Sequence, residues 1–406
     1  MPLIVVKFGG SSVASIEKIK NIGERVVKLK EEGNNLVVVV SAMGDTTDDL
    51  IQLASGVGPK LAEREMDMLL STGEQQSAAL LAMTLINLGY PAVSLTGWQA
   101  GIISNDVFTK AKISKIDTGR IEREIAKGKI VVVAGFQGVT PEKDITTLGR
   151  GGSDTSAVAL AASLKADKCI IFTDVEGVYT ADPRVEKTAR KLSQISYEEM
   201  LELASLGAVV MQPRAVELAM LHNIRIEVRS SYNSSPGTII MEVGNMEQQR
   251  IVTGVAHDKN CAKFAIYDVP DKPGIAAALF KTLADHRINI DVVIQSAMRN
   301  GRNDIAFTVE ASELPRAIQI VEQLVNTIGA SGMSYGDKVA KVSIVGAGMQ
   351  SNTGVAAAMF EALAEENINI QMISTSEIKV SCIIDEDLIE KAVRALHRKF
   401  QLDKLV

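Results

Sequence analysis

The chain has 406 residues, 46% of them hydrophobic and 23% charged, enough apolar material for two or three domains with cores of their own. Lys and Arg number 43 against 49 Asp and Glu, a net charge of -6 with no basic cluster, so nucleic acid is not an expected partner. Cys169, Cys261 and Cys382 lie far apart without metal-ligand or CxxC spacing, and no apolar run reaches the roughly 18 residues that span a bilayer, so disulfides, a zinc site, secretion and a membrane location are all excluded as expectations in favour of the cytoplasm.

In chain order, the first signal is KFGGSSV at 7–13, where a lysine leaves an apolar strand and a Gly-Gly-Ser-Ser turn precedes a helix over about 16–30. Free backbone N–H groups and one ammonium at a helix start suit phosphate oxygens. The string is neither GxxxxGK[ST] nor GxGxxG, and a tight turn using glycine for positive φ is the plain alternative. A buried strand follows at 36–40, and Ser41 and Thr47 fall in the loop after it, at the carboxyl end of the sheet. A helix over 65–88 contains Ser71–Glu74, an S-x-x-E string that serves equally as a capping box or a binding group.

Another strand is expected at 130–134, and GRGGSDTSA at 149–157 makes a second glycine loop ahead of a helix over 153–164. Ser153 or Asp154 can be its N-cap, whereas Arg150 between glycines gains little packing and its planar fork suits a carboxylate or phosphate. A strand at 169–173 leads into FTDVEGVYTADPR (172–184), which on its own reads as a turn with a solvated arginine. Short Val- and Ile-rich strands alternating with helices predict an α/β domain built on a mostly parallel sheet covered by helices. SYNSSPG at 231–237 and the polar 241–249 stretch place its boundary near 245.

Beyond the boundary lies a repeat: DKPGIAAALFKTLADHRINID (271–291) and SNTGVAAAMFEALAEENINIQ (351–371) share about half their positions. Each copy reads strand, helix from Gly274 or Gly354, strand through Asn289 or Asn369, strand, helix, an α+β plan close to the split βαβ motif. The modules are set at 262–336 and 337–406, with an apolar run at 250–257 completing the second.

KFGGSSV, VVVVSAMGDTTDDL (37–50), LLSTGEQ (69–75), GRGGSDTSA and FTDVEGVYTADPR together resemble the aspartate kinases of the amino acid kinase family, and the repeat resembles their paired, ferredoxin-like ACT domains. The plan is closest to the monofunctional form, with nothing after 406 to supply a homoserine dehydrogenase. The resemblance implies ATP-dependent phosphorylation, with Mg2+, of the side-chain carboxylate of L-aspartate, opening lysine, threonine and methionine biosynthesis. A carboxylate nucleophile is already ionised near neutrality, so alignment and charge neutralisation suffice and no catalytic histidine is needed; His222, His257, His286 and His397 lie outside the motifs and read as surface or structural.

By this resemblance Lys7 is the cation on the transferring phosphate, with Phe8, Gly9, Gly10 and Ser11 beside the nucleotide. Ser41, Thr47, Glu74 and Arg150 bind aspartate, Glu74 at its ammonium and Arg150 at its α-carboxylate, while Asp154 orients the substrate and Lys7. Thr173, Asp174, Tyr179, Asp182 and Arg184 border ATP. Some relatives carry a basic residue where Val209 stands and His where Gln212 stands, so no nucleotide lysine is assigned there. The ACT modules imply threonine or lysine as feedback effectors, at Asp271, Gly274 and Ile275 with Asn289, Ile290 and Asp291, and at Ser351, Thr353, Gly354 and Val355 with Asn369 and Ile370. Glycine at each helix N-terminus lets an effector carboxylate come close, and Asp271 or Asp291 meets its ammonium. A homo-oligomer through the ACT sheets is expected, with a separate ACT-only subunit from an internal start such as Met241 or Met246 as a further option. The alternatives are a kinase of the same fold for another small carboxylate, which is not expected to combine SAMGDTTDDL, STGEQ and the ACT pair, and an amino-acid sensor with a dead kinase domain, which is expected to lack Lys7, Arg150 or Asp154.

Overall fold

The computed structural model describes residues 1–207, 210–242 and 251–404. The boundary near 245, residue 250 and Val209 lie outside the described residues. Two compact units divide the chain. The first contains 1–178, 191–205 and 210–242; the second contains 206–207 and 251–404 and also claims Tyr179–Arg190.

The first unit opens with β1 (Leu3–Phe8), α1 (Ile16–Glu31), β2 (Asn35–Val40), α2 (Thr46–Ser55) and the long α3 (Glu63–Asn87). It continues through β3 (Ala92–Leu95), β4 (Ile102–Ser104), β5 (Ile113–Ile116), α4 (Gly119–Ala126), β6 (Ile130–Ala134), β7 (Gln137–Val139), β8 (Ile145–Thr147), α5 (Gly152–Ser163) and β9 (Lys168–Thr173). It closes with β10 (Gln194–Ile195), α6 (Tyr197–Ser205), α7 (Pro213–His222), β11 (Ile226–Ser230) and β12 (Thr238–Ile240). Eight strands form the main sheet in the order β10-β12-β11-β9-β1-β2-β6-β3. Pairing is parallel from β3 through β11, and only β11 and β12 run antiparallel to each other. Strands so placed are covered on both faces, which is why β2 and β6 are unbroken Val-rich runs with almost no exposed residue.

The expected parallel sheet is therefore present, with helix and strand ends within a few residues of the sequence reading. A second sheet of four short strands, β5-β4-β7-β8, had no clear sequence signal, because three- and four-residue strands carry too little periodicity. SYNSSPG is not a linker: β12 follows it within the same main sheet, and the Gly237 backbone runs so close to Val228 that a Cβ would lie 1.9 Å from its carbonyl oxygen.

In the second unit β13 (Gly254–Pro270), α8 (Ile275–Asp285), β14 (Val293–Gln295), β15 (Arg302–Val309) and α9 (Leu314–Ile328) form the first module. β16 (Gly332–Val345), α10 (Val355–Glu365), β17 (Met372–Thr375), β18 (Lys379–Asp385) and α11 (Ile389–Lys399) form the second. The strands make one antiparallel sheet, β14-β15-β13-β16-β18-β17. The modules are joined by exchange. The start of β13, Gly254–Asp258, pairs with Lys341–Val345, and its later part pairs both with β15 and with the first residues of β16, around 332–336. Within the apolar run expected to complete the second module, Gly254–Asp258 pairs with that module's own strand, and a division at 336/337 cuts through β16. Asn289 and Asn369 are exposed and precede their strands rather than ending in them; the buried residues beside them are Ile288 and Ile368.

Tyr179–Arg190 is built into this unit. Ala181 joins the core around Val342, Met359 and Leu396, the Thr180 carbonyl accepts from the Val255 N–H at 2.8 Å, and the Thr180 hydroxyl sits 2.9 Å from Nε2 of the buried His397. No helix among the described residues is long and apolar enough to cross a membrane.

Candidate active site

β1 lies between β9 and β2, with Lys7 in register with Ile171 and Val39. Successive strands of the chain depart to opposite sides of β1, so a crevice opens at the carboxyl ends of these strands, where open α/β sheets bind ligands. Into it the sequence places the Gly9–Ser12 turn, Ser41, Thr173 and Asp174, each directly after its strand.

Lys7 is nine-tenths buried, and its ammonium lies 2.6 Å from Oδ1 of Asp154. Gly9 leaves room for it: a Cβ there would stand 3.3 Å from Nζ. Gly10 answers to a different neighbour. A Cβ on Gly10 would sit 3.1 Å and 3.2 Å from the carbonyl oxygens of Ala42 and Gly44, so its missing side chain admits the loop after β2. The turn is a single 3-10 turn, Gly10–Ser12, and α1 starts later, capped by the Ser15 hydroxyl accepting from the Lys18 N–H. The Gly10 and Ser11 N–H groups at the start of that turn have no place in its hydrogen-bond ladder, which starts with the Ser12 N–H donating to the Gly9 carbonyl.

The Phe8 side chain is fully buried and stacks on Phe172, ring centroids 4.7 Å apart, so it belongs to the core and leaves only its backbone beside the glycine turn. The alternation of a strand explains the difference, because Lys7 and Phe8 must point to opposite faces.

Asp154 is not an N-cap. The cap position of α5 is Gly151 at φ +69, which puts Asp154 in the first turn, where its carboxylate meets both Lys7 and the positive end of the helix. Ser153 is likewise inside the helix and makes no capping bond. Arg150 is exposed between Gly149 (φ +76) and Gly151.

Glu74 is also no capping residue, since Ser71–Glu74 lies in the interior of α3, where the Ser71 hydroxyl donates to the Met68 carbonyl. Gly73 lets the helix press on the loop after β2, a Cβ there falling 2.8 Å from Ala42 Cβ. That contact brings Glu74 Oε1 within 3.1 Å of the Ala42 N–H that donates to it, while Oε2 is buried with no partner among the described residues. Burial pushes the carboxyl up to about 8, against the two backbone N–H groups that favour the charged form. A buried carboxyl oxygen without a partner marks Glu74 as a group whose hydrogen-bonding capacity is not met within the fold. Ser41 donates its N–H to the Phe8 carbonyl, and Thr47, expected in the loop, stands instead in the first turn of α2.

Thr173 and Asp174 close β9, the Thr173 hydroxyl 3.1 Å from Asp174 Oδ1. Tyr179, Asp182 and Arg184 lie in the Tyr179–Arg190 segment, which groups with the second unit. There Arg184 clasps Asp182 with Nε and Nη2 at 2.8–3.1 Å and holds that carboxyl below its ordinary range.

In the ACT-like modules, Gly274 (φ +96) and Gly354 (φ +87) start α8 and α10, and a Cβ at either would meet open space. The glycines serve the left-handed backbone and leave the helix N-termini uncovered, and helix packing does not explain them. Ile275 and Val355 are the first helical residues, and Asp271, Ser351, Thr353, Asn289 and Asn369 are exposed around them, with Ile290 and Ile370 half-buried. Asp291 is taken: the buried ammonium of Lys341, from the other module, pairs with it. Lys263 reaches Gln371 in the mirror-related way. This crosswise exchange follows the strand exchange and was not visible in the repeat, since only the fold sets which copy each lysine faces.

The model of the amino acid kinase family matches residues 2–230, and models of the ACT domain match 265–326 and 342–400. An aspartokinase from Bacillus sp. (strain MGA3) is 52% identical over 402 residues, 99% of this chain and 98% of the relative. The crystal structure of aspartate kinase from Synechocystis is 46% identical, with a TM-score of 0.55 and coverage of 98% of this chain and 69% of that one. That of E. coli aspartokinase III, in complex with aspartate and ADP, shares the fold at a TM-score of 0.83, with 24% identity and 98% and 99% coverage. On sequence identity along its whole length and on the match of all three domains, the chain belongs to the aspartokinase family.

Proposed function

We infer that this chain is an ATP-dependent aspartate kinase, transferring the γ-phosphoryl group to the side-chain carboxylate of L-aspartate to give 4-phospho-L-aspartate, under regulation through its ACT pair. The observation that carries the site assignment is the pairing of Lys7 with Asp154 at the sheet's carboxyl edge, with the glycine turn beside it packed on Ala42, whose N–H donates to the buried Glu74. Lys7 draws charge off the phosphoryl group as it passes, and the Gly9–Ser11 turn offers N–H groups to the phosphates. Glu74 takes the substrate ammonium and Arg150 its α-carboxylate, with Ser41 and Thr47 beside them. The turn fits ATP, because at Gly9 a position without a side chain lies against the Lys7 ammonium and leaves room for a phosphate beside it. Mg2+ would accompany the nucleotide, held mainly by phosphate oxygens and water, and would neutralise charge as the bond to the leaving ADP breaks.

The reading predicts substrate length. With both α-groups fixed, the carboxylate has one reach to the phosphate, so glutamate should lose about 10–200-fold in kcat/KM for its extra methylene. Hydroxamate trapping with aspartate, glutamate and N-acetylglutamate checks it, and comparable yields from glutamate would sink it.

For regulation we place a small amino acid, threonine or lysine, at the uncovered N-termini of α8 and α10, where the helix dipole favours a carboxylate. With Asp291 engaged by Lys341, Asp271 is the carboxylate left for the effector ammonium in the first module. The enzyme acts in the cytoplasm as a homo-oligomer assembled through the ACT sheet, whose hydrogen-bond ladder ends at β14 and β17. The full-length chain should bind at least one of the two amino acids in calorimetry and lose activity with it. If neither binds nor inhibits at millimolar concentration, the modules are structural.

A further inference from the structure

The segment that presents Arg150 is stapled from two sides by charges that the reaction itself does not call for. Asp67, wholly buried on α3 two turns before Glu74, accepts the Thr109 N–H at 2.9 Å and 3.1 Å, the Thr147 N–H at 2.9 Å and the Thr147 hydroxyl at 2.6 Å. Arg214, the second residue of α7, donates to the Leu148 carbonyl at 2.7 Å and to the Ala111 carbonyl at 3.0 Å. The carboxylate takes N–H groups and the guanidinium takes carbonyls, both from the same two stretches, 109–111 and 147–148. Those stretches are joined to each other by the Ala111 N–H donating to Thr147 at 2.9 Å.

Directly beyond them the chain turns through Gly149, Arg150 and Gly151, both glycines left-handed. A Cβ on Gly149 would meet the Thr109 carbonyl at 3.1 Å, and one on Gly151 would overlap Gln212, two residues before Arg214. Glycines of this kind supply no stiffness of their own, so the place from which Arg150 extends is set by where the staples hold its flanks. Asp67 and Glu74 sit seven residues apart on one helix, hence on the same face. Asp67 therefore ties the Arg150 turn to the helix that carries the carboxylate for the substrate's ammonium.

We propose that Asp67 and Arg214 are positioning residues that fix the Arg150 turn against Glu74, and so set the spacing at which the α-carboxylate and α-ammonium of the substrate are gripped. This rests on the reading of Arg150 as the partner of the α-carboxylate. A wholly buried carboxylate and a half-buried guanidinium, satisfied by the backbone of two joined stretches and one threonine hydroxyl, are a strong device for holding those stretches in place, since losing either leaves polar groups without partners.

The test is steady-state kinetics on the full chain with aspartate, glutamate and ATP, with thermal unfolding in parallel, for Asp67→Asn, Arg214→Gln, Thr147→Val and Arg150→Ala. Misplacing a gripping group by about 1 Å is enough for up to a 100-fold loss, so Asp67→Asn and Arg214→Gln should raise the KM for aspartate at least about tenfold. The KM for ATP should stay within about twofold, and the preference for aspartate over glutamate should shrink. Thr147→Val, which removes one hydroxyl donor to Asp67 and keeps both backbone donors, should fold normally and raise the aspartate KM about threefold, and it decides the matter if the others are unstable. Kinetic constants unchanged beside a lowered melting temperature, or a KM rising equally for both substrates, would overturn the proposal. An Arg150→Ala variant that keeps its aspartate KM overturns the reading of Arg150 and this proposal together. If Arg150→Ala raises that KM while Asp67→Asn and Thr147→Val leave it alone, the positioning proposal fails by itself.

Discussion

Replacing Lys7 by alanine should lower kcat by about 100-fold or more, the loss that follows removal of one donor aimed at developing transition-state charge. The lysine emerges from β1 nine-tenths buried, between β9 and β2, so its ammonium cannot be replaced by a neighbour swinging in. The same change strands Asp154, itself buried, without the cation 2.6 Å away. Breaking a buried pair by removing one partner costs about 3 kcal/mol or more, so stability should fall too. Urea unfolding separates the two effects, and the double variant Lys7→Ala with Asp154→Asn should regain much of the stability and none of the rate. A folded Lys7→Ala enzyme retaining most of its kcat would remove Lys7 from the mechanism.

The second large effect belongs to Glu74 and is read through pH. Its carboxyl titrates near pH 8 in the folded protein against an ordinary 4.5, because burial disfavours the charge. Between those values the folded chain holds a proton that the unfolded chain has released, so this group's contribution to stability is complete below about 4.5 and is lost as pH rises toward 8. Glu74→Gln has no charge to bury and should be more stable than the native chain at pH 8, by an amount on the order of 4 kcal/mol at about 1.4 kcal/mol per unit. Function should move the other way. An arriving ammonium favours the carboxylate, so binding of aspartate expels a proton, and its KM should fall up to about tenfold per pH unit from 6 to 8. The glutamine variant should lose that slope and bind aspartate about 10–100-fold more weakly at pH 8, the worth of a charge-assisted hydrogen bond. A KM independent of pH in the native enzyme, or a Glu74→Gln variant with the native KM, would take Glu74 out of the substrate site.

How far the sequence could be read depended on scale. Runs such as Ile130–Ala134 and the 25-residue α3 announce themselves, because five buried β-branched or aliphatic residues in a row, or seven helical turns, leave few other options. The strand exchange between the two modules was readable in part: the apolar run ahead of the first copy had no place there, and the second copy lacked a strand. What stayed hidden was whatever depends on which distant segment arrives. Phe8 and Lys7 are adjacent in one motif, yet one enters the core and the other the crevice. Gly10 looked like a phosphate contact, and its immediate neighbours are the carbonyls of Ala42 and Gly44. Asp67, in no recognised motif, accepts from the Thr109 backbone and from both the backbone and the hydroxyl of Thr147; its position seven before Glu74 on the buried face of α3 was the one available hint. Tyr179, Asp182 and Arg184 sit in a motif continuous with β9, but Ala181 and Thr180 bind that stretch to the core of the second unit, which no local pattern encodes.

The exchanged strands also set an order of events for the nascent chain. Among the described residues Gly254–Asp258 pairs only with the end of β16, so these residues leave the ribosome long before Lys341–Val345 exist to meet them. Pairings this remote in sequence close slowly, and an unpaired apolar strand left waiting invites association with other chains. A chain that ends after α9 has β15 and both helices of the first module, but β13 is left bare along the edge where β16 pairs with it, from Gly254 to Tyr267. Until β16 arrives, that edge is open to strands of other chains.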